Sequence, residues 1–285
     1  MRNLWRKMSS NWRFMMDQDD KQKLHSHILD IFQEIIRVCE DCQITYFIMG
    51  GTALGAVRHG GFIPWDDDLD IGMRRQDYER FLKEAPKHLR QDLFLQTYET
   101  EKKSPFYFAK VRKSHTKFVE KYCRHLDIHD GIYVDIFPYD NIPDDKSERK
   151  QYYKKSKILL NLYIAKCLTG TSVEYSGWKN LCYKSVRSIF HILLIPISKS
   201  FLFYLVDKNL QKFNGSDTEY VGYGGLPKIQ VRREDIMSPA EIGFEGLMVK
   251  CPKNIANYLQ DNFGDYHQLP PKNERKGHAP YKMQV

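Results

Sequence analysis

From residue 21 to 42 the apolar side chains fall at Leu24, Ile28, Ile31, Phe32, Ile35, Ile36, Val38 and Cys39, the three-and-four spacing of an amphipathic helix. The pattern then shortens. Thr45 to Met49 is a β-rich run that breaks at Gly50-Gly51, and Thr52 is placed to cap a helix from Ala53 to Arg58. His59-Gly60-Gly61 stops that helix, and a loop with Pro64 and Trp65 leads to a strand from Asp68 to Met73. A helix over Gln76 to Glu84 carries Tyr78, Phe81 and Leu82 on one side. Tyr107 to Val111 and Gly131 to Phe137 read as two further strands, the second ending before Pro138. These elements predict an α/β (α+β) core over residues 20–142.

Beyond that core the pattern changes twice. Residues 143–215 are helical and basic, with apolar clusters at Ile158, Leu159, Leu160, Leu162 and Tyr163 and again at Ile189, Ile192, Leu193 and Leu194. Residues 216–285 return to short strands and turns. Pro252 suits the first turn of a helix running to about Asn262, and the tail from Gly264 is irregular. This last segment is expected to complete the catalytic domain.

The chemistry concentrates where the first glycine turn meets the first acidic strand. On a strand, residues i and i+2 share a face, so Asp68 and Asp70 should project together while Leu69 and Ile71 enter the core. Paired carboxylates beside a glycine turn at a helix start suit a divalent cation and a nucleotide phosphate. Asp135 is a lone acid in the apolar run Tyr133 to Phe137. A charge in such a run is costly unless it is paired or bound to metal. Gly50, Gly51 and Thr52 let backbone N–H groups approach a phosphate. Lys110 and Arg112, two apart, share a strand face and could grip phosphate, or else lie exposed. Arg58 and His59 could reach a donor, although a helix C-terminus favours cations without any ligand. Trp65 could stack on an aromatic or cationic ligand, or pack under its loop. Asp66 and Asp67 either support the neighbouring carboxylates or cap the loop.

Charge sharpens the picture by its distribution. Residues 145–215 hold 13 Lys/Arg against 4 Asp/Glu, a surplus of +9 in a chain of net +8, so the remainder sums to about −1. One segment therefore carries the basic excess, which favours a local anionic partner such as a membrane surface. The alternative is a solvated face over an ordinary helical core. The run from Ile189 to Val206 is interrupted by His191, Pro196, Ser198, Lys199 and Ser200 and reads as buried or interfacial rather than spanning. Residues 1–16 are basic and aromatic without a continuous apolar stretch, so no cleaved signal is expected. The six cysteines are scattered. Cys39 and Cys42 form a lone CxxC within a helix rather than on a knuckle turn; Cys123, His125 and His129 could supply further zinc ligands, but free thiols and surface histidines are the expectation. No nucleic-acid motif is present, and an acidic catalytic face would repel a polyanion.

The run from Gly50 to Met73, GGTALGAVRHGGFIPWDDDLDIGM, resembles the signature of the LicD family of phosphotransferases. The Tyr78-Glu79-Arg80-Phe81 helix and the Tyr133-Val134-Asp135-Ile136-Phe137 strand are similar to the family pattern. So is the series Phe244, Gly246, Val249, Pro252, Tyr258-Leu259, Phe263 to Tyr266, Leu269 to Pro271, Arg275 and His278. The resemblance covers most of residues 20–281, is weakest in the basic helices, and is absent from residues 1–16. It implies a nucleotidyltransferase-type mixed sheet flanked by helices. It also implies transfer of a phospho-alcohol, phosphocholine in the best-known members, from a CDP-linked donor such as CDP-choline to a cell-surface glycan. Fukutin-like relatives use CDP-ribitol. The catalytic and metal-binding set would be Asp68, Asp70 and Asp135 holding Mg2+ or Mn2+. The third acid would position a second metal or accept the hydroxyl proton. The donor would lie on Gly50, Gly51, Thr52, Arg58, Trp65, Lys110 and Arg112, with Arg275 and His278 folding over it or lying on a surface tail. Such an enzyme would work on the cytoplasmic side, peripheral to the inner face of the plasma membrane, on teichoic acid, lipopolysaccharide or a lipid-linked precursor.

Three other readings use the same residues differently. A DxD glycosyltransferase would release a nucleoside diphosphate, and a nucleotide-attaching enzyme would release pyrophosphate. A non-catalytic membrane adaptor would explain the basic helices but leave three carboxylates without a role.

Overall fold

The computed structural model describes residues 17–168, 185, 194–227, 229–275, 277 and 280–285. Helix α1 (Gln18–Asp41) starts at Asp17, whose carboxylate accepts from the Asp20 N–H at 2.8 Å, and buries the predicted stripe Leu24, Ile28, Ile31, Phe32, Ile35, Val38 and Cys39. Strand β1 (Phe47–Ile48) leads into α2 (Gly50–His59), and the loop after it into β2 (Asp70–Arg74) and α3 (Arg75–His88). Strands β3 (Leu93–Gln96), β4 (Ala109–Lys113), β5 (Lys117–Val119) and β6 (Tyr133–Asn141) follow, then α4 (Lys146–Cys167) and α5 (Lys199–Leu210). The chain closes with β7 (Tyr220–Gly222), β8 (Gln230–Arg232), α6 (Arg233–Met237), β9 (Ala240–Phe244), β10 (Leu247–Cys251), α7 (Ile255–Phe263) and β11 (Lys282–Gln284).

The main sheet is mixed, in the order β1-β2-β6-β4-β3, with β7 joined to the far end of β6 and β8 to β7. Only β2 and β6 run parallel; the other pairs are antiparallel. Alternation decides its two faces. Ile71, Met73, Val134, Ile136, Ala109, Val111, Leu93 and Leu95 are all buried on one, against which α1 and α3 pack. The other face carries Asp70, Asp135, Lys110 and Gln96 in one row. The row on this second face is buried as well, with Lys110 and Gln96 at 1% and Asp135 at 7% exposure, so its polar groups must be satisfied by one another or by a ligand.

Several local expectations shift. Strand β6 runs through Pro138 instead of stopping before it. Asp135 donates its N–H to Leu69 O on the β2 side, so the missing Pro138 N–H falls on the β4 side. Pairing with β4 has already ended there, at Ala109↔Ile136, and no ladder bond is lost. Pro252 precedes α7 rather than lying in its first turn. Thr52 is not the cap of α2: Met49 holds that position and Thr52 lies inside the first turn.

A buried ion pair ties the helices to the sheet. Arg75 at the start of α3 donates to Asp140 of β6 at 2.5 and 2.8 Å, with the Asp140 side chain fully shielded from solvent. Asp207 of α5 lies 3.5 Å from the same guanidinium and accepts from the Tyr107 hydroxyl. Helices α4 and α5 pack on each other through Ser156, which accepts from the Asn209 amide, and through the Tyr163 and Phe203 rings. All five described cysteines not in the 169–193 stretch are free thiols, so no disulfide staples the core among the described residues.

Candidate active site

The register of the parallel pair sets the site. Asp70 begins β2 and lies directly opposite Asp135 of β6, and Lys110 of β4 lies opposite Asp135 on its other side. Asp68 sits two residues before β2, in the loop rather than on the strand, yet its charge reaches both Asp70 and Asp135. Leu69 and Ile71 are fully buried.

The glycine turn closes on these carboxylates. Gly50 has a φ of +54°, and a Cβ there would stand 3.7 Å from the Asp70 carboxylate; one on Gly51 would stand 2.9 Å from that of Asp66. The Gly50 N–H donates to the Tyr258 hydroxyl at 2.9 Å, and the Asp70 N–H donates to the Thr52 hydroxyl at 2.9 Å. Thr52 therefore fixes the start of β2 against the first turn of α2. The loop between them is held from both ends. His25 of α1 stacks on Phe62 at 3.9 Å with its Nε2 3.0 Å from Asp66 O, and Glu245 accepts from the Phe62 N–H at 2.9 Å.

Gly55 shows how tightly the loop returns on α2, since a Cβ there would lie 2.4 Å from Gly61 O and 3.3 Å from Ile63 N. Helix propensity alone favours Ala at this interior position by about 1 kcal/mol. Overpacking against backbone outweighs it, so Gly55→Ala should destabilise by about 1–3 kcal/mol in urea unfolding. An unchanged or raised midpoint would contradict that packing.

Charges at the site are unbalanced. Burial pushes the Asp70 carboxyl well above its ordinary value, and the neighbouring Asp68, Asp135 and Asp66 charges push it further, with Lys110 opposing. Burial likewise raises Asp135 to about 7, although Lys110 pulls it down. Lys110 Nζ lies 2.8 Å from Asp135 Oδ1 and donates to Oδ2 at 3.1 Å, while Oδ1 is buried with no donor aligned to it. A buried carboxylate that shares one ammonium with Glu120, beside a carboxylate crowded by like charges, fits a hard divalent cation taking oxygen ligands. Among the described residues the acids whose carboxylate oxygens lie within 4.8 Å of one another are Asp66, Asp67 and Asp68; Asp70 and Asp135 stand outside that group. Asp67 is buried, so it is more than a solvated loop cap.

Other expected residues divide. Lys110 and Arg112 do share a face, but neither is exposed: each is 1% accessible. Arg112 spends its guanidinium on Gln96 Oε1 at 2.7 Å, Gly131 O at 2.8 Å and Glu120 at 3.0 Å, so phosphate gripping is left to other groups. Trp65 is half-buried with the Arg275 guanidinium 5.1 Å from its ring centre and the His59 ring edge-on at 6.1 Å, which leaves less of its face for a base or choline. His278 and the stretches 169–184 and 186–193, including Trp178, Cys182, Ile189, Ile192 and Leu193, lie outside the described residues. The sequence did not single out Glu120, which receives Lys110 and Arg112. Burial raises its carboxyl, but those two cations outweigh burial and hold it below the ordinary value. Tyr258, seen in the sequence only as one of a C-terminal series, reaches Gly50 across 208 positions.

Residues 43–163 match the family model described as LicD/FKTN/FKRP, nucleotidyltransferase domain. Over 275 residues, 91% of this chain and 94% of the relative, the sequence is 27% identical to the lipopolysaccharide cholinephosphotransferase LicD of Haemophilus influenzae. A shorter stretch of 43 residues, 15% of this chain and 9% of the relative, is 44% identical to the ribitol 5-phosphate transferase FKRP of Homo sapiens. An uncharacterized protein of Rickettsia typhi is 33% identical over 86 residues, 28% of each chain.

Proposed function

We propose that this chain, whose residues 43–163 match the LicD/FKTN/FKRP nucleotidyltransferase domain, is a phosphotransferase that moves a phospho-alcohol, phosphocholine before others, from a CDP-linked donor to a hydroxyl of a surface glycan or its lipid-linked precursor, with release of CMP. The observation that carries this reading is the in-register placement of Asp70 beside Asp135 at the N-terminal turn of α2. The acceptor hydroxyl oxygen forms a bond to the phosphorus nearer the alcohol and gives up its proton to a carboxylate, Asp135 being placed for this; the bond from that phosphorus to the bridging oxygen breaks, and CMP leaves with the electron pair.

Each chain element has a part. Gly50 and Gly51 keep the first turn of α2 free of Cβ atoms that would crowd the carboxylates, so phosphate oxygens can approach the helix end. Asp70 and Asp135, with Asp68 beside them, would hold Mg2+, which supplies charge neutralisation to the donor phosphates. Lys110 keeps Asp135 in the row, and Thr52 and Tyr258 fix the turn against β2.

Calorimetry with CDP-choline, CDP-ribitol and a nucleotide sugar, with and without Mg2+, tests the donor without needing the acceptor. One CDP-alcohol should bind only with Mg2+ in the native protein and at least tenfold more weakly in Asp70→Asn. Binding of the nucleotide sugar alone would move the reading to a glycosyltransferase.

The basic helices suggest where the acceptor is met. Ile158, Ile195, Phe201 and Tyr204 are exposed on and beside α4 and α5, near Lys154, Lys157 and Lys208, and no helix among the described residues is long and apolar enough to cross a membrane. Peripheral contact with an anionic lipid surface follows. The protein should co-sediment with phosphatidylglycerol vesicles at low salt and be released at high salt, and failure to bind at low salt removes this contact.

A further inference from the structure

The Lys110 ammonium straddles both oxygens of Asp135, 2.8 Å from Oδ1 and 3.1 Å from Oδ2. A divalent ion that takes Asp135 as a ligand must share or displace that ammonium. Two positive centres on one carboxylate repel, and more strongly where water is excluded. The ammonium is closed off from solvent. Lys110 is 1% accessible, and its Nζ lies 3.5 Å from the centre of the Tyr133 ring, 4.3 Å from Phe106 and 5.3 Å from Phe108. A displaced charge therefore needs a new partner inside the protein. Among the described residues the other carboxylate in ion-pairing reach of Lys110 is that of Glu120, with Oε1 at 3.4 Å.

We propose that Glu120 is a positioning residue for the carboxylate row, which takes over the Lys110 ammonium when a divalent cation occupies Asp135. Its carboxylate is already fixed for that. Glu120 follows β5, which is pinned by β11. Arg112 donates to its Oε2 at 3.0 Å, and the Tyr122 and Tyr133 hydroxyls donate to Oε1 at 2.7 and 3.3 Å. The 3.4 Å from Lys110 exceeds a charge-assisted hydrogen bond of about 2.8 Å, so the ammonium has room to close on Glu120 as it leaves Asp135. Arg112 cannot serve Asp135 instead, since Gln96 and Gly131 O hold it in place. Without metal the ammonium stands in for the cation and keeps Asp135 in the row. With metal it moves to Glu120, and both buried carboxylates stay compensated throughout. The inference rests on the metal-dependent reading of the site and is independent of which alcohol is transferred.

Mg2+ is titrated by calorimetry, with no nucleotide present, into the native protein, Glu120→Gln, Lys110→Met and the double variant, with thermal melting as the folding control. Glu120→Gln should bind Mg2+ about tenfold or more weakly than the native protein, because the ammonium then has only Asp135 to pair with. In the Lys110→Met background the same change should cost little, since no ammonium remains to be rehoused. A long-range charge effect of Glu120, or a purely structural one, would cost the same in both backgrounds, and that result overturns the proposal. So does an unchanged affinity in folded Glu120→Gln. If a variant does not fold, a crystal structure of the native protein with Mn2+ decides. Lys110 Nζ should then lie within hydrogen-bond distance of Glu120 and away from Asp135, and an ammonium still straddling Asp135 overturns the transfer. A native protein that binds neither Mg2+ nor Mn2+ overturns it together with the metal-dependent reading. A tenfold loss in Glu120→Gln without binding of any CDP-alcohol upholds the transfer and sinks only the donor assignment.

Discussion

Asp70→Asn should lower transfer by about a thousandfold or more while raising the melting temperature of the metal-free protein. The two effects have one cause. Asp70 is crowded by protein, and burial, then Asp68, Asp135 and Asp66, hold its carboxyl well above the ordinary value. A carboxyl whose folded pKa exceeds its unfolded value of about 3.8 costs stability as pH rises through that interval, and the full cost remains above the folded pKa. An amide of the same shape removes that cost, so without metal the variant should melt above the native protein at pH 8. The same amide is a poor ligand for a hard cation, so Mg2+ should raise the melting temperature of the native protein and leave that of the variant nearly unchanged. Scanning calorimetry at pH 5 and pH 8, with and without Mg2+, checks both halves. A variant that keeps its activity, or melts lower without metal at pH 8, would sink the assignment of Asp70.

Lys110→Met should be the most damaging single change in the sheet. Lys110 is 1% accessible, stands between Asp135 and Glu120 at 2.8 and 3.4 Å, and has the Tyr133 ring 3.5 Å and the Phe106 ring 4.3 Å from its ammonium. Methionine fills the apolar part of the space but leaves Asp135 without its cation and Glu120 with Arg112 alone. Breaking a buried pair from one side costs about 3–5 kcal/mol. The pH dependence is specific. Without Lys110 both carboxyls titrate higher, so the loss should be largest near pH 8 and shrink toward pH 5 as they take up protons. Urea unfolding at the two pH values measures this, and Lys110→Met with Asp135→Asn should recover part of the loss. A cost below 1 kcal/mol at pH 8 would mean that the row is held by other contacts.

The parts of this site that sequence made legible are local ones. Asp68 and Asp70 stood out through their spacing, Asp135 through being the lone acid in an apolar run, and α1 through its stripe. The errors were local as well, and they share a reason. Thr52 has the side chain of a helix cap, yet a strand N–H eighteen residues away takes its hydroxyl. Arg112 has the side chain of a phosphate ligand, yet Gln96, Glu120 and a carbonyl of Gly131 consume it. A polar side chain answers to whatever partner the fold brings nearest, and the sequence around it does not name that partner.

The sequence by itself determined which residues can alternate, cap or coil, because backbone geometry ties those properties to neighbours a few positions apart. It placed a glycine turn before an acidic strand and a second acid on a later one. Only the tertiary structure decided that β2 and β6 are parallel neighbours with Asp70 opposite Asp135, that Lys110 completes the row, that Tyr258 closes on Gly50, and that Arg275 lies over Trp65. Strand order and register are set by the burial of whole faces across distant segments, and that free energy belongs to the assembled core rather than to any stretch of chain.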